Sequence, residues 1–238
     1  IGSLTTRQIA GLRTTAIVAL TTTDVAALKT TQIAALKASQ INAFETTDLQ
    51  ALAATQITGF SVSAVRGLSM SVLLALTDTQ TAAFAPTQIA VLSAAALSAL
   101  SSTEVQAWTT TQLGALTARQ LGGLTTTALD NFSTTQLAAL TTTQVQGLTG
   151  AQLNGISIES LNALAVADLS TRQVKGLNVT AAGNLSATQA EGLSAAQIKF
   201  LTAATVEALI STVVQSWSAT QLGALVATQL GGLTTTAP

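Results

Sequence analysis

The sequence predicts an all-α fold, a tight α-solenoid with one short helix of about six residues for each octapeptide. Three observations predict it. A leucine or another large apolar residue returns every eight residues from Leu4 to Leu233, with one break in step. Ser or Thr follows this residue in 20 of 30 repeats, and Gln stands three residues after that hydroxyl in 16 of 30. Such a short and regular period is typical of solenoids and extended arrays.

Each repeat carries a helix-start signal when it is numbered from its apolar anchor at position zero. In the repeat of Leu140, the Thr141 hydroxyl at position one accepts from a helix amide, and Gln144 at position four reaches back, which together form a capping box. Four acids replace Gln at position four, where they suit the positive end of a helix, and these are Asp24, Asp48, Glu104 and Asp168. Pro86 falls at the first helical position, where proline is tolerated best.

The spacing inside a repeat favours one face of a helix. Position five and the next anchor lie three residues apart, as Ile33 and Leu36 do, so both point the same way. Position seven, between them, is Ala or Gly in 23 of 28 repeats. We expect this small residue to permit close approach of a neighbouring helix or an easy exit from the helix.

A β-solenoid is the alternative fold, encouraged by the short period and by threonine runs such as residues 21–23. Strands require alternation of polar and apolar residues, but position seven and the next anchor are adjacent and both non-polar. Ala, Leu and Gln also favour helix. The sequence therefore favours the α-solenoid.

Large anchors predict how many repeats make one superhelical turn. Phe60, Phe84, Trp108, Phe132 and Ile156 recur every 24 residues, which is three repeats. If bulky residues stack on one edge, about three repeats form each turn. The anchors Phe44 and Trp217 do not follow this spacing.

The domain organisation predicted is a single continuous repeat solenoid over residues 1–238, with a seam at about 157–169. Three residues are missing from the repeat between Leu164 and Leu169, and residues 102–128 resemble residues 211–237 at an offset of 109. We interpret the slip as the junction of a duplication, and two overlapping registers predict one longer helix from about Ser157 to Asp168. Because the chain starts without Met, we expect it to be a piece of a longer protein.

Composition argues against several classes of partner. Hydrophobic residues make up 48% of the chain but charged residues only 8%, with a net charge of −1, whereas about a quarter of a soluble domain is usually charged. Because so little charge leaves no electrostatic footprint for nucleic acid, we predict no nucleic-acid partner. We also expect no small-molecule substrate. No apolar stretch approaches the roughly 18 residues of a membrane span, so we expect no membrane insertion.

The residues also argue against catalysis, and we predict no enzyme, no catalytic, cofactor-binding or metal-binding residues and no cofactor. The chain has neither cysteine nor histidine, which removes common nucleophiles, bases and metal ligands. Glu45 and Asp48 come nearest to a carboxylate pair but are better explained as acids at a helix start.

The remaining candidate residues have plain structural interpretations. Arg172 and Lys175 form a solvated face rather than a binding site. Trp108 and Trp217 occupy anchor positions and are expected in the core, whereas Phe200 precedes an anchor and is expected to be partly exposed.

The octapeptide seen almost unaltered at residues 133–140 and 141–148 resembles repeat arrays of very large secreted or surface proteins of proteobacteria. The likeness covers essentially the whole chain and implies an extracellular or cell-surface stalk, spacer or filament. We therefore expect a non-enzymatic structural protein that associates end to end, either with other copies or within a longer parent chain. The alternative is an adhesin-type binding module that uses a Thr- and Gln-rich face for a glycan, a peptide or ice.

Overall fold

The structure, a computed structural model, describes residues 1–213 and 216–233. Every regular element in these residues is helical, and no strand occurs in them, which confirms the all-α solenoid over the β-solenoid. The chain divides into two compact halves, Ile1–Leu116 and Thr117–Pro238. Each half is an α-solenoid, and the single continuous solenoid over residues 1–238 stays a prediction.

The N-terminal half contains helices of four to six residues, one to each octapeptide. They are α1 (Thr6–Ala10), α2 (Thr14–Val18), α3 (Thr22–Ala26), α4 (Thr30–Ala34), α5 (Ala38–Ile41), α6 (Thr46–Ala51), α7 (Ala54–Ile57), α8 (Val62–Arg66), α9 (Met70–Ala75), α10 (Asp78–Ala82), α11 (Pro86–Ile89), α12 (Ala94–Ser98), α13 (Ser102–Gln106) and α14 (Thr110–Gly114). The start of α11 at Pro86 confirms the helix position predicted for that proline.

The C-terminal half continues the pattern with two departures, one short 3-10 helix and one long α-helix. Its elements are α15 (Ala118–Gly122), α16 (Thr126–Asp130), α17 (Thr134–Ala138), α18 (Thr142–Gly147), α19 (Gly150–Leu153), α20 (Ile158–Ala163), the 3-10 helix η1 (Val166–Asp168), α21 (Thr171–Lys175), α22 (Val179–Gly183), α23 (Ala187–Glu191), α24 (Ala195–Ile198), α25 (Ala203–Val213), α26 (Ala219–Leu222) and α27 (Ala227–Leu233).

Within each half, a helix packs against the helix three places along the chain. Thus α1 contacts α4, α3 contacts α6 and α15 contacts α18. Three repeats therefore make one coil, usually of 24 residues, and each coil lies on the coil before it. This confirms the three repeats per turn that the bulky anchors predicted.

A capping box, or the Gln half of one, starts most of the described helices. At α1 the Thr5 hydroxyl accepts from the Gln8 amide at 3.3 Å, while Gln8 Oε1 accepts from the Thr5 amide at 2.8 Å. Where position one has no hydroxyl, as at Lys37 and Ala85, only the Gln half of the box forms. The Gln side chain alone therefore suffices to start a helix when the coils around it supply further contacts.

Small residues at position seven let successive coils touch. A Cβ added at Gly67 would lie 2.6 Å from Ala38 Cβ, and one at Gly147 would lie 2.5 Å from Ala118 O. Both neighbours are at position two, three repeats earlier. None of the described residues has a positive φ, so the helices end without a left-handed glycine. Close approach, rather than exit geometry, explains the small residue.

Position-five side chains and anchors form the apolar core. Ile9, Ile33 and Ile57 are fully buried at position five, and Trp108 and Trp217 are each only 4% exposed, which confirms the core prediction for both tryptophans. Phe200 is 44% exposed, as predicted.

The prediction of one long helix from about Ser157 to Asp168 is wrong. Helix α20 ends at Ala163, Leu164 is extended at φ −73° and ψ 144°, and η1 follows. Leu164 is buried as an anchor and Val166 is buried in the role of position five, so burying both requires the chain to turn between them. The 3-10 helix η1 contacts α18 and α23, which lie three elements before and after it. The shortened repeat therefore packs between neighbouring coils as a full repeat does.

Candidate functional surfaces

The Gln side chain at position four is the most distinctive polar group of the chain. At Gln40, Oε1 accepts from the Lys37 amide at 2.8 Å. Its Nε2 donates to the carbonyl oxygens of Ile9 and Leu12, both at 2.9 Å, in the coil beneath. Three backbone groups from two coils are thus satisfied by one buried side chain.

We call the set of such residues the Gln ladder. In each, Nε2 donates to the carbonyl of an anchor in the preceding coil and to a second carbonyl near it, at 2.7 to 3.2 Å. Its members include Gln32, Gln40, Gln56, Gln80, Gln88, Gln112, Gln152, Gln173, Gln189, Gln197, Gln221 and Gln229.

The sequence analysis predicted the capping role of these Gln side chains but not their bonds to the preceding coil. A signal for the other half was present, because a capping box uses the oxygen of Gln and leaves two N–H donors without a role. Combined with a 24-residue turn, those donors indicate carbonyl groups one coil away. The ladder therefore joins coils as well as starting helices.

Amide side chains at position six form a second link between coils. Asn42 donates from Nδ2 to Gly67 O at 2.9 Å, and its Oδ1 accepts from the Ser69 amide at 2.9 Å. Asn154 makes the same two bonds to Gly176 and to the Asn178 amide across the shortened coil. The sequence analysis did not identify these residues, which are too few to stand out as a repeat.

Three of the four acids at position four, Asp24, Glu104 and Asp168, each occupy a different environment. Asp24 caps the exposed start of α3, where the hydroxyl and amide of Thr21 lower the pKa of its carboxyl. Glu104 accepts from the Ser101 amide at 2.8 Å and from the Thr81 hydroxyl at 3.1 Å. Asp168 does not reach back to a helix start. It accepts instead from the Thr142 hydroxyl at 2.9 Å, because its repeat is three residues short.

Asp48 is the fourth of these acids and the most buried, at 3% exposure. Burial raises the pKa of its carboxyl, the nearby Glu45 carboxylate raises it further, and a hydrogen bond from the Glu45 backbone opposes the rise. Glu45 itself is exposed at the N-cap of α6. The two acids therefore lie at a helix start, as the sequence predicted.

A groove of about 410 Å³ lies in the C-terminal half, where the shortened coil leaves space beside α19 and α21. It is lined by Gln146, Leu148, Thr149, Gly150, Ser170, Arg172, Gln173 and Gly176. Gln146 and Gln173 already donate to backbone carbonyls, and the Ser170 hydroxyl donates to Gln173. Arg172 is exposed at its rim, as is Lys175 on the same helix. The groove thus offers few uncommitted polar groups to a ligand.

Exposed hydroxyls at position three form rows along the N-terminal half. One row consists of Thr31, Thr55, Thr79 and Thr103, and a second of Thr15, Ser39, Ser63, Thr87 and Thr111. Because capping uses the hydroxyl at position one, it does not explain these rows. They place one hydroxyl on each successive coil.

The outermost coils expose apolar groups that are buried elsewhere. The anchors Leu4, Leu12 and Leu20 are only half-buried, whereas later anchors such as Leu28 are 4% exposed. At the other end the position-five residues Leu222 and Leu230 are 40% and 47% exposed. Anchors therefore contact the coil before them, and position-five residues contact the coil after them.

The described residues contain neither a cluster of metal-ligating side chains nor a helix that could span a membrane. No cluster of three acidic side chains in the part that the structure describes could hold a metal ion. Of the helices described, none has the length and apolar character needed to cross a membrane.

Comparison with known proteins supports the repeat character of the chain. Residues 1–38 match the family model of the ALTTAQ repeat. No curated protein matches the chain. The match is consistent with an octapeptide repeat family and with a repeat protein of structural type.

Proposed function

We propose that the chain is a non-enzymatic structural segment of a rigid stalk or filament on an extracellular or cell-surface appendage. The observation that carries the proposal is the Gln ladder. The polar side chains that recur most regularly in the protein join one coil to the next, so the recurring chemistry of the repeat serves stiffness and extension. A stalk needs this property along its whole length.

We further propose that copies associate end to end. The half-buried anchors of the first coil match the exposed position-five leucines of the last described coil, and this contact is the one that every internal pair of coils makes. A coil supplied by a second copy would bury both sets. A coil of the same kind from a longer parent chain would satisfy them equally.

A pair of double variants tests this association. Leu222→Lys with Leu230→Lys places charges at the end of the last coil, and we expect it to abolish concentration-dependent assembly in sedimentation velocity. The matched control, Ile158→Lys with Val179→Lys, changes two residues that are each 50% exposed at the first positions of α20 and α22, and should assemble like the parent. A globular monomer at all concentrations, seen also by electron microscopy, would contradict the proposal.

The second candidate function is an adhesin-type binding module, favoured by the two hydroxyl rows. Rows of hydroxyls on an uncharged surface could bind a regularly spaced ligand such as a polysaccharide or ice. Replacing Thr31, Thr55, Thr79 and Thr103 together by Val should abolish binding on a glycan array, or thermal hysteresis, without unfolding the chain. If the unmodified chain neither binds a glycan nor shows thermal hysteresis, the adhesin-type function is contradicted and the stalk function is the proposal that stands.

A further inference from the structure

We propose that Asn154 is a modification site, at which local opening between α19 and the next coil allows spontaneous deamidation to aspartate and isoaspartate. Asn154 is followed by Gly155, whereas the other five asparagines of the chain are followed by Ala, Phe, Val or Leu. The inference goes beyond the stalk function and does not depend on it.

The reaction joins the Asn154 side chain to the next backbone nitrogen. The Gly155 nitrogen loses its proton to solvent and attacks Cγ of Asn154, so that an N–Cγ bond forms, the Cγ–Nδ2 bond breaks and Nδ2 leaves as ammonia. Water then opens the cyclic imide at either of its two carbonyl carbons, which gives aspartate or isoaspartate. Glycine favours the first step because it has no Cβ to crowd the nitrogen or to restrict the backbone.

The folded chain holds Asn154 away from this reaction. Its Nδ2 donates to Gly176 O and its Oδ1 accepts from the Asn178 amide, both at 2.9 Å, so the side chain is fixed towards the next coil. The Gly155 amide donates to Gln152 O at 3.0 Å, and at ψ −8° the Asn154 backbone turns the attacking nitrogen away from Cγ. The reaction therefore requires local opening, in which α19 frays and its link to the next coil breaks.

Asn42 provides a matched site with a different residue after it. Its Nδ2 and Oδ1 make bonds of the same length to Gly67 O and the Ser69 amide. The Ala43 amide donates to the carbonyl three residues earlier at 3.1 Å, and the Asn42 backbone lies at ψ −10°. Because Asn42 is exposed and Asn154 is half-buried, solvent access alone would favour reaction at Asn42.

The packing beside Asn154 is also looser than the packing beside Asn42. Gly150 in α19 faces Gly176, and a Cβ added at Gly150 would lie 3.9 Å from Gly176 O. At the equivalent contact of α5 with the next coil, a Cβ added at Gly67 would lie only 2.6 Å from the Cβ of Ala38. The groove of about 410 Å³ lies at the Gly150 contact. Fewer side-chain atoms therefore resist opening there.

Deamidation would weaken the link between coils without removing it. Asp130 shows how a carboxylate behaves at position six, since its Oδ1 accepts from the Ser157 amide at 2.9 Å. The aspartate product would likewise keep the bond from the Asn178 amide, but a carboxylate has no donor for Gly176 O. The isoaspartate product lengthens the backbone by one carbon and should lose both bonds.

Mass spectrometry of proteolytic peptides, after incubation of the full chain, tests the proposal. We expect acid to accumulate at Asn154, and to do so faster at mildly alkaline than at neutral pH because the attacking nitrogen must lose its proton. The rate should be several-fold lower in the folded chain than in the chain unfolded by urea. Asn42 should keep its amide over the same period in both states.

Two variants separate the effect of the glycine from the effect of opening. Ala43→Gly places the same pair at Asn42, which should then react in urea as fast as Asn154 does. Gly150→Ala fills the contact with Gly176 and favours the folded backbone, so it should slow the reaction at Asn154 in the folded chain without changing either reacting residue.

Four results would overturn the proposal. The first is an Asn154 that keeps its amide as long as Asn42 does, and the second is a rate at Asn154 that is equal in the folded and unfolded chains. The third is an Asn42 that stays unreactive in unfolded Ala43→Gly. The last is a folded Gly150→Ala variant in which Asn154 reacts no more slowly than in the parent.

Discussion

Residues 94–104 and residues 203–213 occupy equivalent places in the duplication that we infer from the sequence, yet they fold differently. In the first, α12 and α13 are separate helices, and a capping box between Ser101 and Glu104 starts the second. In the other, α25 runs for 11 residues from Ala203 to Val213 through the equivalent position. The sequence has Ile210 where Ser101 stands and Val213 where Glu104 stands.

This difference shows what separates one repeat from the next. Anchor and small residue are present in both copies, as Leu100 with Ala99 and as Leu209 with Ala208. The capping pair is among the residues that differ, together with Ala96, Leu97 and Ser98, and the helix continues past the anchor in the segment that lacks the pair. We infer that the capping pair favours a break after the anchor, although α2 begins at Thr14 without such a pair.

The difference at Glu104 is accompanied by a difference at its hydrogen-bond partner in the preceding coil. Thr81, which donates to Glu104, is replaced by Ala190 in the copy that has Val213. The hydroxyl and the carboxylate have thus disappeared together, and neither copy leaves a buried polar side chain without a partner among the described residues. The tryptophan link persists, with Nε1 of Trp108 donating to Thr81 O at 3.2 Å and Nε1 of Trp217 to Ala190 O at 2.9 Å.

The largest effect is expected where both copies agree. Gln88 and Gln197 are equivalent rungs, and Gln88→Leu would remove the side-chain partner of the Ala85 amide and of the Phe60 carbonyl, whereas the Ile57 carbonyl keeps the bond from the Phe60 amide. At about 1–3 kcal/mol for each of the first two groups, we expect a loss of roughly 2–6 kcal/mol in the free energy of unfolding, measured by urea denaturation.

The matched control for this prediction is Gln8→Leu. Gln8 caps an exposed helix in the first coil and should cost only about 1 kcal/mol, the usual value of a cap. Equal losses in the two variants would show that the ladder contributes nothing beyond capping.

A smaller effect is expected from exchanging the capping residues. The triple variant Thr81→Ala, Ser101→Ile and Glu104→Val gives the first copy the residues of the second, and should join α12 and α13 into one helix. Backbone chemical shifts of residues 99–102 would report the change, and stability should fall by about 1–2 kcal/mol through loss of the cap. Retention of an extended residue 101 would show that other residues set the break.

An effect comparable to that of the triple variant is expected at the shared tryptophans. Trp108→Phe and Trp217→Phe each remove an indole N–H and its bond to a carbonyl, so we expect losses of about 1–3 kcal/mol in either copy, including some unfilled volume. Thermal unfolding of the two variants should give similar shifts. A loss of stability in the Trp108 variant alone would mean that contacts of the longer helix α25 compensate for the missing indole hydrogen bond of Trp217.

The repeat made much of the fold predictable from residue types alone. Capping residues, Pro86 and the 24-residue spacing of large anchors fixed helix starts and the number of repeats per coil, because each acts locally or recurs on every turn. The slip misled the sequence analysis, since two registers overlap there and only burial of both Leu164 and Val166 reveals the turn. The sequence analysis did not predict the length of α25, because this helix continues where the capping residues of a repeat are absent.

The polar contacts between coils were harder to predict. Capping explained Gln adequately, so nothing demanded a second partner, and Asn42 depends on a coil 25 residues away. The prediction that the chain has no catalytic, cofactor or metal residues stays a prediction. The same holds for its extracellular setting.

Exchange of the Gln side-chain amides with solvent, followed by NMR, tests the central claim most directly. The Nε2 protons of Gln40 and Gln88 donate to carbonyls of the preceding coil, so we expect them to exchange only when coils separate, with protection close to that of the core backbone. Gln8, which is exposed in the first coil, should exchange like a free amide. Exchange of the Gln40 and Gln88 amides as fast as that of Gln8 would contradict the account.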